Sequence, residues 1–130
     1  MAKILLIDDD KAISSIFEAA LKKGGFEVVA AYDGTSGLDK AKSEKPDLIL
    51  LDQVLPDISG NEVLKTIKES PETQQIPIAM LSNFGQQELI QEAINKGAVD
   101  YILKYQIEPQ DLVNKANEML KEKQASAATV

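Results

Sequence analysis

The sequence predicts an α/β domain built on a five-stranded parallel sheet with helices on both faces. Three observations predict it: five short runs of consecutive apolar residues, helical spacing of apolar residues between the runs, and strict alternation of the two along the chain. Runs that are apolar at consecutive rather than alternate positions belong to strands buried on both faces.

Each element follows in turn. KILLI, Lys3 to Ile7, is the first strand, and Ile13, Ile16, Phe17, Ala20 and Leu21 then make one apolar helical stripe that should stop at Gly24-Gly25. FEVVA, Phe26 to Ala30, is the second strand, followed by a shorter stripe at Leu38 and Ala41. DLILL, Asp47 to Leu51, is the third, with Val63, Leu64 and Ile67 after it. IPIAML, Ile76 to Leu81, is the fourth; its helix carries Ile90, Ala93 and Ile94 and should end at Gly97. VDYIL, Val99 to Leu103, is the fifth, and a last helix opening at Pro109 carries Leu112, Val113, Ala116, Met119 and Leu120. From Lys121 the segment KEKQASAATV loses apolar periodicity, so the domain is expected over 1–120 and a polar tail or the start of a linker over 121–130.

Composition narrows the function. At 130 residues the chain has the size of one ordinary domain, with a net charge of −7 and no cluster of basic residues, which argues against direct nucleic-acid binding. There is no cysteine, so disulfides and thiol chemistry are excluded and a reducing, cytoplasmic setting is expected. Histidine is absent too, which removes the commonest general base and leaves oxygen-ligated hard cations as the metals to consider. No run approaches the ~20 apolar residues needed to span a bilayer.

In open α/β sheets the site lies beyond the carboxyl ends of the strands. There the first strand runs into Asp8-Asp9-Asp10, the third into Asp52, the fourth into Ser82 and the fifth into Lys104. Adjacent like charges at ~4 Å repel by about 4 kcal/mol at an effective dielectric of ~20, so gathering Asp8, Asp9 and Asp52 calls for a cation. Mg2+ suits such a site, because it keeps several waters and pairs with phosphate oxygens. Asp52 could then attack an electrophilic phosphorus to form an aspartyl phosphate, with Mg2+ and Lys104 stabilising the transferring group and Ser82 hydrogen-bonding one of its oxygens. Asp10, at the start of the first helix, reads as a helix cap.

The motifs LIDDD, DLILLDQVLPDISG, the MLS that ends the fourth strand and GAVDYILK occur in order on the expected elements. Together they resemble the receiver domain of bacterial two-component response regulators, of the chemotaxis-receiver kind, over about residues 3 to 120. The resemblance implies a flavodoxin-like, doubly wound sheet of strand order 2-1-3-4-5. It implies that Asp52 takes a phosphoryl group from a phosphohistidine on a sensor histidine kinase or phosphotransfer protein, the domain catalysing only its own phosphorylation and dephosphorylation. By the same resemblance Asp9 and Asp52 bind Mg2+ directly with the Val54 backbone carbonyl, and Asp8 acts largely through water. Ser82 and Tyr101 are the expected switch pair, and Val54 and Phe84 the positions that control water access. The first helix is expected to meet the kinase, and the surface of fourth helix, fifth strand and fifth helix a downstream effector or a second receiver.

One position departs from the family: Lys104 is followed by Tyr105 where receivers usually carry a proline, often after a cis peptide. A non-proline cis bond costs ~2.5–4 kcal/mol, so either that strain is held or the loop takes another path. A haloacid-dehalogenase-type phosphatase would use Asp8 and Asp10 but leave Asp52 idle, and a flavodoxin-like cofactor binder would not place three aspartates against a phosphate. The main alternative is a pseudo-receiver, a docking module on the same fold that is not phosphorylated.

Overall fold

In the computed structural model, which describes residues 1–128 and side chains through residue 122, the expected alternation is complete. The elements are β1 (Lys3–Ile7), α1 (Lys11–Lys23), β2 (Glu27–Ala31), α2 (Gly34–Glu44), β3 (Leu48–Leu51), α3 (Gly60–Glu69), β4 (Ile78–Ser82), α4 (Gln87–Asn95), β5 (Asp100–Leu103), a 3-10 turn (Lys104–Gln106) and α5 (Pro109–Ala128). All strands pair in parallel in the order β2-β1-β3-β4-β5, as the resemblance implied. The order reverses beside β1, which puts the C-terminal ends of β1 and β3 next to each other, with Ile7 opposite Leu51.

Side-chain alternation divides the core in two. Leu5, Ile7, Ile49, Leu51, Ile78 and Met80 face α2, α3 and α4, whereas Ile4, Leu6, Leu48, Leu50, Ala79 and Leu81 face α1 and α5. Asp8 and Asp52 continue the second set, two residues beyond Leu6 and Leu50, and Ser82 continues the first, two beyond Met80.

Boundaries shifted where backbone chemistry required it. β4 begins at Ile78 because Pro77 has no N–H for the ladder, although its carbonyl still accepts from Ile49 at 3.0 Å. β2 begins one residue late, with Phe26 buried ahead of it. The α1 stripe is buried only in part: Phe17 and Leu21 are buried, Ile13 and Ala20 half-buried, and Ile16 is 56% exposed. On α4, Ala93 is buried but Ile94 is exposed. α5 carries the helix past residue 120, the expected domain edge, to Ala128. Residues 129–130 of the expected tail, and the side chains from 123 on, lie outside the described residues.

Candidate functional site

Asp8, Asp9 and Asp52 meet at the carboxyl edge of β1 and β3, each offering a carboxylate oxygen within 4.8 Å of the others. Asp8 and Asp52 are buried and Asp9 is exposed, so the cluster has an inner floor and one arm in water. The chain turns sharply after β1: the Asp8 Oδ1 accepts the Asp10 N–H at 2.9 Å. Asp10 is the N-cap of α1, its side chain accepting the Ile13 N–H at 3.1 Å.

Lys104 closes the floor. Its ammonium lies 2.7 Å from Asp8 Oδ2 and 3.0 Å from Asp52 Oδ2, and its side chain is nearly buried. No peptide bond among the described residues is cis, so the missing proline is met by another path: the chain leaves β5 through the 3-10 turn, and Lys104 still reaches both carboxylates. Burial, opposed by the Lys104 charge and reinforced by Asp8, pushes the Asp52 carboxyl up to about 6. Burial would lower Lys104, but its hydrogen bond to Asp8 and the charges of Asp52 and Asp8 outweigh it and hold the ammonium above its usual range.

The β3–α3 loop forms one wall. The Val54 N–H points at Asp52 Oδ1 across 3.4 Å, and the Val54 side chain is 52% exposed. Gly60 lets α3 start directly against this wall: an added Cβ would overlap the Asp52 carbonyl and crowd the Gln53 backbone at 2.8 Å, and the Gly60 N–H bonds the Gln53 carbonyl at 2.8 Å. Asp57, which carried no assignment in the sequence, accepts three hydrogen bonds from Gly34 and Thr35. Its partners lie 22 and 23 residues away, so no local spacing could have revealed it.

The β4–α4 loop forms the other wall. The buried Ser82 Oγ accepts the Phe84 N–H at 3.0 Å, and the Tyr101 hydroxyl donates to the Phe84 carbonyl at 2.7 Å. The two expected switch residues therefore grip opposite ends of one residue's backbone. Phe84 itself is 43% exposed.

The comparisons with known proteins agree with this geometry. The family model of the response regulator receiver domain matches residues 4–117. The chain is a response-regulator receiver domain. Among solved structures, a CheY-like receiver domain protein from Methanospirillum hungatei superposes with a TM-score of 0.90 at 32% identity, covering 97% of this chain and 98% of that one. The regulator RpaA of Synechocystis is 38% identical over 80% of this receiver, which spans 43% of the length of RpaA. The alkaline phosphatase synthesis regulator PhoP of Bacillus subtilis is 37% identical over 78% of the receiver and 42% of its own length. The receiver thus spans about two-fifths of these relatives. As a receiver it is a phosphoacceptor module of two-component signalling, and neither the fold nor the filled acid, hydroxyl and lysine positions favour the pseudo-receiver. No helix among the described residues is long and apolar enough to cross a membrane.

Proposed function

We propose that Asp52 is the phosphoacceptor, taking a phosphoryl group from the phosphohistidine of a sensor kinase or phosphotransfer protein. The N–P bond of the phosphohistidine breaks, an Asp52 Oδ–P bond forms, and the departing imidazole takes up a proton from water. The observation that carries this reading is the convergence of Asp8, Asp9 and Asp52 within 4.8 Å, with the Lys104 ammonium seated on the inner pair.

The donor set fits Mg2+: all its side-chain donors are hard carboxylate oxygens, and the exposed Asp9 leaves room for retained waters. Asp9, Asp52 and the Val54 carbonyl would hold the ion, with Asp8 acting through water. When bound, Mg2+ supplies positive charge opposite the phosphoryl oxygens. Lys104 turns its ammonium from Asp52 to the phosphoryl group. Ser82 already accepts from Phe84 through its oxygen, so its own proton remains free to donate to a phosphoryl oxygen. That donation pulls on the Phe84 peptide, whose carbonyl Tyr101 holds, and so couples phosphorylation to the β5 ring. The domain catalyses its own phosphorylation and dephosphorylation and no other reaction.

Two surfaces serve partners. The exposed Ile16 on α1, the helix that follows the Asp8–Asp10 turn, suits a kinase helix. The α4–β5–α5 face includes a groove of about 430 Å3 lined by Tyr101, Leu103, Ile107 and Lys115, where an effector or a second receiver reads the Tyr101 state. Its net charge of −7 argues against direct contact with nucleic acid, and a cytoplasmic setting fits a partner kinase's phosphotransfer.

Intact-mass spectrometry after incubation with acetyl phosphate or phosphoramidate and Mg2+ tests the reading. Wild type is expected to gain one phosphoryl group and Asp52→Asn none. An unmodified wild type would sink the proposal.

A further inference from the structure

The Asp57 carboxylate reaches out of the β3–α3 loop to the start of α2. Its Oδ1 accepts the Gly34 N–H at 2.8 Å; its Oδ2 accepts the Thr35 N–H at 2.9 Å and the Thr35 hydroxyl at 2.7 Å. α2 already has a cap of its own, Asp33, which accepts the Ser36 N–H at 2.7 Å. Asp57 takes up the two first-turn amides that Asp33 leaves open. A helix does not need a second cap to begin; what the second cap adds is a tether on the loop that supplies it.

Apolar packing doubles the tether. Ile58 lies on Gly34 so closely that an added Cβ would overlap its side chain and also crowd Val63 at 3.1 Å. Hydrogen bonds from these backbone amides hold the Asp57 carboxyl well below the usual carboxylate range, so it stays ionised under all ordinary conditions. On the strand side, the Asp52 N–H bonds the Ile7 carbonyl at 2.8 Å and the Gln53 carbonyl takes the Gly60 N–H at 2.8 Å. Val54 therefore sits in a short span pinned at both ends.

We propose that Asp57 is a positioning residue for the metal centre: by clamping the β3–α3 loop to α2, it holds the Val54 carbonyl where it can join Asp9 and Asp52 around a divalent cation. The inference rests on the phosphoacceptor reading above. Mg2+ tolerates little departure from octahedral geometry, so a carbonyl carried on an unclamped loop has to be ordered at the moment of binding. Residues that orient metal ligands from behind typically change affinity by about 10- to 100-fold when removed.

Calorimetric Mg2+ titration of the full chain tests this, with wild type, Asp57→Ala, Asp57→Asn and Thr35→Val. Asp57→Ala is expected to weaken Mg2+ binding about tenfold, Asp57→Asn less because it keeps one acceptor, and Thr35→Val least because it removes one bond of the three. In the metal-free protein, amide exchange across residues 54–58 should accelerate in Asp57→Ala while the β3 amides stay protected. A lower melting temperature with an unchanged Mg2+ dissociation constant would reduce Asp57 to a helix cap and overturn the proposal. Should Asp57→Ala fail to fold, Thr35→Val decides, and wild-type affinity and exchange there would overturn it equally. Failure of the parent reading looks different: wild type itself would take up no Mg2+, or Asp9→Ala would bind it as well as wild type, and the clamp would fall with it.

Discussion

On one side of Asp52, α3 is tied down at both ends. Ser59 caps it through the Glu62 N–H at 3.2 Å, Asp57 anchors the loop before it, and at its far end Thr73 donates to the Ile67 carbonyl at 2.8 Å while Lys68 donates to the Ile76 carbonyl at 2.8 Å. On the other side, residues 83–88 are all exposed, Gln86 at the N-cap of α4 makes no side-chain cap bond, and α4 buries Ala93 but leaves Ile94 exposed. The hydrogen bonds from Phe84 to Ser82 and from Tyr101 to Phe84 are what hold that loop. The difference fits the two tasks proposed above for the walls, a metal centre and a switch. A metal centre gains from donors already in place, because ordering them on binding costs affinity. A switch needs a segment with few buried contacts, since only such a segment can change packing for the few kcal/mol that a local charge supplies.

Mutations that separate the walls should have very unequal effects. The largest is expected at the metal side: Asp9→Ala should abolish Mg2+-dependent phosphoryl incorporation, whereas Tyr101→Ala, on the loose side, should leave it within a few-fold of wild type. Asp10→Ala, which removes a cap only, should behave like Tyr101→Ala. Mass spectrometry of phosphorylated fractions measures all three, and comparable losses at Asp9 and Tyr101 would erase the distinction.

The next effect is on stability and follows from burial at the clamped wall. The Asp52 carboxyl titrates near 6 in the folded, metal-free protein against 3.8 in the unfolded chain. Folding therefore favours the protonated form, and the associated stabilisation, complete below 3.8, is lost as pH rises through about 6. At pH 7 in the presence of chelator, Asp52→Asn should be more stable than wild type by about 1–2 kcal/mol after allowing for solvent screening. The gap should close toward pH 4, and urea melts across that range would show it.

A somewhat smaller effect straddles both walls. Val54 lies beside Asp52 and Phe84 beside Ser82, on opposite loops; both are apolar and exposed, so neither side chain can orient a water by hydrogen bonding at the proposed acceptor. Val54→Asn with Phe84→Glu should speed loss of the phosphoryl group about tenfold, or ~1.4 kcal/mol of barrier. Phosphate release followed over time checks it, and an unchanged rate would mean that neither residue governs access of water. The smallest effect is expected from Tyr101→Phe, which deletes the bond to the Phe84 carbonyl. Its cost of about 0.5–1 kcal/mol should show as faster amide exchange in residues 83–86 and nowhere on α3.

Much of this was legible in the sequence alone. Consecutive apolar residues in KILLI and LILL can only be buried on both faces, and the stripes between the runs admit only helices, so alternation by itself determined a parallel sheet. Once the sheet is parallel, Asp8, Asp52, Ser82 and Lys104 must share an edge, because each ends an apolar run. Tertiary structure decided what periodicity cannot encode. That Ile16 faces water while Ser14 is buried depends on where α1 settles against the sheet, not on the spacing of its apolar residues. That Lys104 reaches Asp8 as well as Asp52 without the family's proline depends on the turn the chain takes after β5. The Asp57 clamp depends on a contact across more than twenty residues between a loop and a helix start, each unremarked in its own stretch of sequence. Local pattern specifies which face of an element is apolar; which polar atoms meet across elements is set only when the elements pack and each buried donor finds an acceptor.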